Sequence, residues 1–344
     1  MFNYLVRRLL VMIPMFFLMT AVYFGIQNYL PGGPVQEVLS RIQFGGGEGG
    51  GRSMSVNDIA KLKHELEVQY GLDKPVPVRY WIWVKKITTL DFGDSTATRE
   101  PAMQTIIERL PISIGFGVPG FFITYIVCII LGMLKALKDG TKLDTSTSVL
   151  LFVAYSIPPL VISVVLLLVF CTDRVLPHGA IFPLGGARGD DWDTLTFFAK
   201  CKDYLWHMTL PIIASLIGNF TFLTLLMKNS LLDMLSSDFI RTARAKGLPE
   251  SRVIMKHALR NAILPLMVGI GGILSAFVGG SIIIEQVFGL PGMGRLMLES
   301  LNSRDYNVLM AVAVIQSGVV MVGQLISDLA YVAVDPRIDF TGSN

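Results

Sequence analysis

Charge is what this chain has least of. Of its 344 residues only 16% are Asp, Glu, Lys or Arg, against about 25% in an ordinary soluble domain. Six windows contain none of the four: Leu9–Leu30, Ile112–Leu134, Val149–Phe170, Leu205–Met227, Ala262–Ile284 and Tyr306–Ser327. Each is as long as the roughly 20 residues a helix needs to cross a hydrocarbon core. A single charge at the centre of such a helix would cost about 2.5–3.5 kcal/mol on insertion, so its absence from all six excludes a soluble enzyme. The expectation is an all-α membrane protein with six transmembrane helices.

Other absences narrow the chemistry. There is no G-x-x-x-x-G-K-[ST] run, so the chain has no P-loop of its own for ATP. His64-Glu65 lacks a second histidine four residues on, and His64, His178, His207 and His257 are too dispersed for a metal site. An intramembrane hydrolase would need a polar catalytic pair within the windows, and none is visible. Ion-coupled carriers keep ionisable groups inside their spans, and here only Asp328 comes near one. A secondary carrier or channel remains the alternative to a transporter driven from outside the chain. The net charge of +3 is spread along the sequence and gives no basic groove for nucleic acid. Of three cysteines, Cys128 falls in the second window, while Cys171 and Cys201 share one loop, either as a disulfide or as two free thiols.

Topology follows from the loops. Arg7 and Arg8 precede a first window that is too long for a signal peptide and is followed by no A-x-A site, which keeps it as a span with its N-terminus in the cytoplasm. Six crossings return the C-terminus to the same side. The segment carrying Lys135, Lys138 and Lys142 is net positive, whereas the loops Cys171–Tyr204 and Glu285–Asp305 each carry one net negative charge, as the positive-inside rule requires. The chain then divides into a first helix (1–30), an extracytoplasmic insertion (31–111), a five-helix core (112–334) and a cytoplasmic tail (335–344). The insertion opens on the flexible strip Gly45–Gly51 and continues into an amphipathic helix over Val56–Tyr70. Beyond it, Tyr80, Trp81 and Trp83 with Lys85 and Lys86 suit a helix resting on lipid headgroups or a partner surface.

The most informative segment is the basic loop 228–261. From Lys228 to Arg260 it holds seven Lys/Arg against Asp233, Asp238 and Glu250. Asp238 suits the first turn of a short helix, Gly247 its left-handed end, and Pro249 the first turn of the next helix. In the fifth window, Gly272, Ala276 and Gly280 recur at every fourth position, which on one helix would admit a close neighbour. Pro119, Pro158 with Pro159, Pro211 and Pro265 mark static kinks or hinges.

Arg241-Thr-Ala-Arg-Ala-Lys-Gly247, followed by His257-Ala-Leu-Arg-Asn-Ala-Ile-Leu-Pro265, resembles the cytoplasmic EAA signature of ABC importer permeases in its dipeptide and oligopeptide branch. The usual Glu-Ala-Ala start is Arg241-Thr242-Ala243 here. Tyr70-Gly-Leu-Asp-Lys-Pro75, Asp91-Phe-Gly-Asp-Ser95, Val287-Phe-Gly-Leu-Pro-Gly-Met-Gly294, Ser303-Arg-Asp-Tyr306 and Val334-Asp-Pro-Arg337 resemble the same branch. The tail Asp335–Phe340, the Gly-rich insertion and Asp203–Pro211 are most similar to its Yej members.

The resemblance implies the type I ABC importer permease fold in a bacterial inner membrane, and import of peptides or peptide-like antibiotics from periplasm to cytoplasm. It implies no enzyme activity and no cofactor in this chain, with ATP and Mg bound by a separate cytoplasmic ABC ATPase. A second homologous permease subunit, a periplasmic peptide-binding protein and membrane lipid complete the implied partners. Asp238, Arg241, Thr242, Ala243, Arg244, Ala245, Lys246 and Gly247 would form the coupling helix that sits in the ATPase. Within it, small Ala243, Ala245 and Gly247 would allow close seating, and Arg241, Arg244 and Lys246 would pair with an acidic rim.

Overall fold

The computed structural model describes residues 2–29, 61, 74–173, 175 and 179–334. The Gly45–Gly51 strip, the helix expected over Val56–Tyr70 and the tail 335–344 lie outside them, as do His178 and all but the last two residues of the Tyr70–Pro75 block. Helix dominates, and among the described residues extended pairing is confined to one isolated bridge, Asp94 with Pro101. The helices are α1 Phe2–Tyr29, α2 Val76–Thr88, α3 Ala102–Leu137, α4 Lys142–Ser156, α5 Pro159–Phe170, α6 Phe197–Ser236, α7 Asp238–Ala245, α8 Glu250–Arg252, α9 Leu259–Ala262, α10 Leu264–Met267, α11 Gly272–Gly279, α12 Ile282–Val287, α13 Met293–Asn302 and α14 Tyr306–Val334. A turn of π-helix, Val253–Ala258, joins α8 to α9.

Two compact units divide the chain. One holds Leu9–Thr105 and Glu299–Ser317, the other Met1–Arg8, Ile106–Leu298 and Gly318–Asn344. In the first, α2 lies on α1: Phe24 meets Tyr80 and Trp83 at ring-centroid distances of 5.6 and 5.5 Å, and the Tyr80 hydroxyl donates to the Phe17 carbonyl at 2.9 Å. Only part of the aromatic run is thus outward, Trp81 being exposed while Val84 and Ile87 are buried. Two of the blocks singled out by resemblance meet in this unit. Ser95 Oγ donates to Asp305 Oδ2 at 2.5 Å, and Asn307 Nδ2 to the Asp94 carbonyl at 2.7 Å.

The expected apolar windows are built in three ways. Val6–Ile26, Ala102–Leu137 and Tyr306–Tyr331 are each long and apolar enough to cross a membrane, whereas α4 with α5 and the two halves of α6 form pairs bent by 97° and 53°. Proline explains the first bend. Pro158 forces Ile157 out of the helical region, to φ −87° and ψ 123°, because its ring clashes with a helical predecessor. Pro119 and Pro211 lie inside continuous helix.

The fifth window, Ala262–Ile284, is no single helix but a succession of short ones, α10 to α12. Pro265 and five glycines in 19 residues weaken it, since Gly costs about 1 kcal/mol against Ala in a helix. Backbone groups freed in an apolar setting must find partners, and side chains of other helices supply them. Ser230 Oγ donates to the Ala262 carbonyl at 2.8 Å, Tyr125 Oη to Leu266 at 3.2 Å, and Ser327 Oγ to Val268 at 2.8 Å while accepting from Gly271 N–H at 2.7 Å.

Within this chain the close approach is not made by the expected stripe Gly272–Ala276–Gly280. Space around Gly272 is open, and Gly280 lies beyond the end of α11 with φ +55°. The close crossing is one residue away, between Gly271 and Gly323, where a methyl group on either would strike the other's carbonyl.

Candidate coupling site

Helix α7 starts at Ser237, whose backbone is extended and whose hydroxyl turns back to the Met234 carbonyl at 2.5 Å instead of capping. Asp238 occupies the first turn, where the helix dipole favours a carboxylate, and pairs at 3.4 Å with Arg241. The far end is a Schellman motif. Gly247 N–H reaches the Arg244 carbonyl at 2.9 Å and Leu248 N–H the Ala243 carbonyl at 3.4 Å, with Gly247 at φ +77°. Pro249 stands one residue before α8, as its cap, and not in its first turn as expected.

The two faces of α7 differ. Ile240 is fully buried and Ala243 is 8% exposed. Both enter a core with Ala136 of α3, Met227 and Leu231 of α6, Val253 and Ala258 of the π-turn, Ala262 and Leu266. Ala243 is therefore small to suit this chain's own packing, and is not on a face offered to a partner. Arg241, Thr242, Ala245, Lys246 and Gly247 are exposed. So is Phe239, at 44%, an outward aromatic that the charge pattern of the loop concealed. A buried Ile240 beside a solvent-facing Phe239 follows from the 100° turn between neighbours on a helix.

Of the three cations expected to meet an acidic rim, two have partners within the chain. Arg241 pairs with Asp238, and Arg244 grips both oxygens of Glu250, at 3.1 and 2.6 Å, across the Gly247 turn. The Arg244 hydrogen bonds hold the Glu250 carboxyl below the usual carboxylate range. Among the described residues Lys246 makes no ion pair.

Lys228, counted with the basic loop, faces inward. Its Nζ bridges Asp139 and Asp144, each at 2.7 Å. Asp144 also meets Lys135, whose Nζ, on a side chain with no exposed surface, lies 2.9 Å from Asp144 Oδ1 and donates to Thr147 Oγ1 and Ser148 Oγ at 2.9 and 2.7 Å.

A second buried charge was missed because it looked like an ordinary loop acid. Glu285, with no exposed surface, accepts from Ser113 Oγ at 3.0 Å, Ser281 N–H at 3.2 Å and Arg295 N–H at 2.7 Å. Gly280 and Gly292 crowd its carboxylate so closely that a side chain on either would collide with it. The block Val287–Gly294 is thus a loop wound on Glu285, which is why Gly280 and Gly292 must be glycine. Its one sequence signal is an acid at the very end of an apolar window. Cys128, Cys171 and Cys201 are all free thiols, Cys171 buried and Cys201 exposed, which settles the open alternative against a disulfide. Among the described residues no cluster of His, Cys, Asp and Glu could hold a metal ion.

Residues 128–340 match the family model of the binding-protein-dependent transport system inner membrane component. The inner membrane ABC transporter permease protein YejB of Escherichia coli O157:H7 is 36% identical over 98% of this chain and 99% of its own length. The peptidoglycan transport system permease protein YejB of Agrobacterium fabrum is 35% identical over 98% of both chains. The oligopeptide transport system permease protein AppB of Bacillus subtilis is 32% identical over 98% of this chain and 99% of its own.

Proposed function

This chain belongs to the family of inner membrane components of binding-protein-dependent transport systems, and on that footing we propose that it is the permease subunit of an ATP-driven peptide importer of the Yej type. Six crossings carry it through the membrane, with both termini in the cytoplasm and residues 31–111 outside. The kinship with YejB and AppB permeases supports peptides as cargo.

The observation that carries the mechanism is the two-faced helix α7. Its outer face, with Phe239, Arg241, Thr242, Ala245 and Lys246, rests in a groove of a cytoplasmic ABC ATPase, which holds the ATP and Mg. Its inner face, through Ile240 and Ala243, bears on α3, α6 and the head of the fifth span. Closure of two ATPases on ATP displaces α7 and so favours one of two states of the pathway, a population shift driven by unequal affinity. A second permease completes the pathway, and a periplasmic binding protein delivers the peptide.

Purification in mild detergent from the native membrane, followed by identification of the accompanying chains, tests this reading. A second permease and an ABC ATPase are expected. Recovery of the chain alone, in membranes that import peptide, would refute it.

A further inference from the structure

The cluster of Lys135, Asp144 and Lys228, with the half-exposed Asp139 at its edge, is not part of the face offered to an ATPase, yet it adjoins the seat of α7. Lys135 lies near the end of α3, Asp144 in the first turn of α4 and Lys228 four-fifths of the way along α6. Gly140 N–H closes the connecting turn on Asp144 Oδ2 at 3.3 Å. Each cation is the chain neighbour of a residue that supports α7: Ala136 follows Lys135, and Met227 precedes Lys228, and both lie in the core that receives Ile240 and Ala243.

The two kinds of contact respond differently to displacement. Apolar packing is non-directional, so Ile240 can slide on Ala136 and Met227 at little cost. A charge with no exposed surface has no water to replace a lost partner, and breaking such a pair is strongly unfavourable. The ion cluster is therefore the stiff element beneath a slippery seat.

We propose that Asp144 is a positioning residue for transport. By holding Lys135 and Lys228 at once, it makes the cytoplasmic ends of α3, α4 and α6 move as one block, so that a displacement of α7 reaches all three helices and is not absorbed by sliding. This inference rests on the coupling role of α7 proposed above.

The test uses the full transporter, with its ATPase, second permease and binding protein, in proteoliposomes. Lys135→Met with Asp144→Leu removes the buried pair and fills its space with apolar side chains, an exchange that is often neutral for stability. The expected result is retained ATPase attachment and hydrolysis, with peptide imported per ATP falling about tenfold, within the range of typical coupling effects. An unchanged ratio of import to hydrolysis would overturn the proposal. Should the double variant fail to assemble, Lys228→Met supplies the reading, because it breaks the link from Asp144 to α6 while Asp144 keeps its pair with Lys135. It should lower the same ratio by about fivefold, the low end of typical coupling effects, and an unchanged ratio would again overturn the role. Absence of any ATPase on the wild-type chain would remove the coupling reading first and the positioning role with it.

Discussion

Gly247 offers the sharpest test of how α7 ends. No atom lies within 4 Å of where its Cβ would stand, so a side chain there meets no obstacle within this chain. What restricts the position is φ +77°, where L-residues pay roughly 1–2 kcal/mol. Ala should therefore cost about 1 kcal/mol, a factor of about five in the population of the closed turn, and β-branched Val about 2 kcal/mol or more. Asn tolerates the left-handed region and should cost little, although it is bulkier than Ala. Losing the turn also releases the Gly247 and Leu248 N–H bonds and detaches Glu250 from Arg244. Peptide uptake per unit of inserted permease, measured for Gly247→Asn, Gly247→Ala and Gly247→Val, should fall in that order, with Asn near wild type. If Asn is as damaging as Val, side-chain bulk against a partner decides the position, and the backbone argument is wrong.

Phe239→Ala should leave thermal stability unchanged, because the ring is exposed, while weakening ATPase co-purification by about tenfold, the scale of an aromatic anchor; equal recovery would remove Phe239 from the interface. Reversal of both Arg241 and Arg244 to Glu should loosen the ATPase at moderate salt. Since Arg244→Glu alone also sets a like charge against Glu250, the single Arg241→Glu variant must show part of the effect for attraction to a partner to be the cause. Gly271→Ala or Gly323→Ala should reduce the yield of folded permease through overpacking, of order 1–3 kcal/mol or more, whereas Gly272→Ala should be silent; the opposite order in detergent melting curves would contradict the crossing described. Cys201, being exposed, should react with an impermeant thiol reagent on intact spheroplasts while buried Cys171 resists, and labelling of Cys201 only from the cytoplasmic side would invert the topology.

Much of this was legible because lipid imposes simple demands. Windows free of charge marked the apolar segments, and Gly247 announced a helix end, since both follow from short-range rules. What stayed hidden depends on partners distant in sequence. The fifth window has the composition of a span, but whether it forms one helix or several depends on Tyr125, Ser230 and Ser327 being at hand to cover its carbonyls. The glycine periodicity pointed at Gly272, while the true crossing is at Gly271, because breaks before and after α11 destroy the 3.6-residue register on which the pattern relied. Lys135 and Lys228 read as cytoplasmic charge, which fits the proposed topology but says nothing of their role, since Asp144 draws both inward. Beyond its place at the end of an apolar window Glu285 gave no sign of burial, as one of its donors, Ser113, is 172 residues away in the chain.

The bond between Ser95 and Asp305 has a consequence for biogenesis. Its partners are 210 residues apart, so at about 5–20 residues per second of synthesis the second leaves the ribosome roughly 10–40 s after the first. Through that interval the turn at Asp91–Ser95 is already outside the cytoplasm by the proposed topology, and it has no carboxylate to close on. The smaller unit is thus finished only when the last span has been delivered to the membrane. A chain cut short before Asp305 would carry its insertion unlatched, a state that a membrane quality-control protease can distinguish from the completed permease.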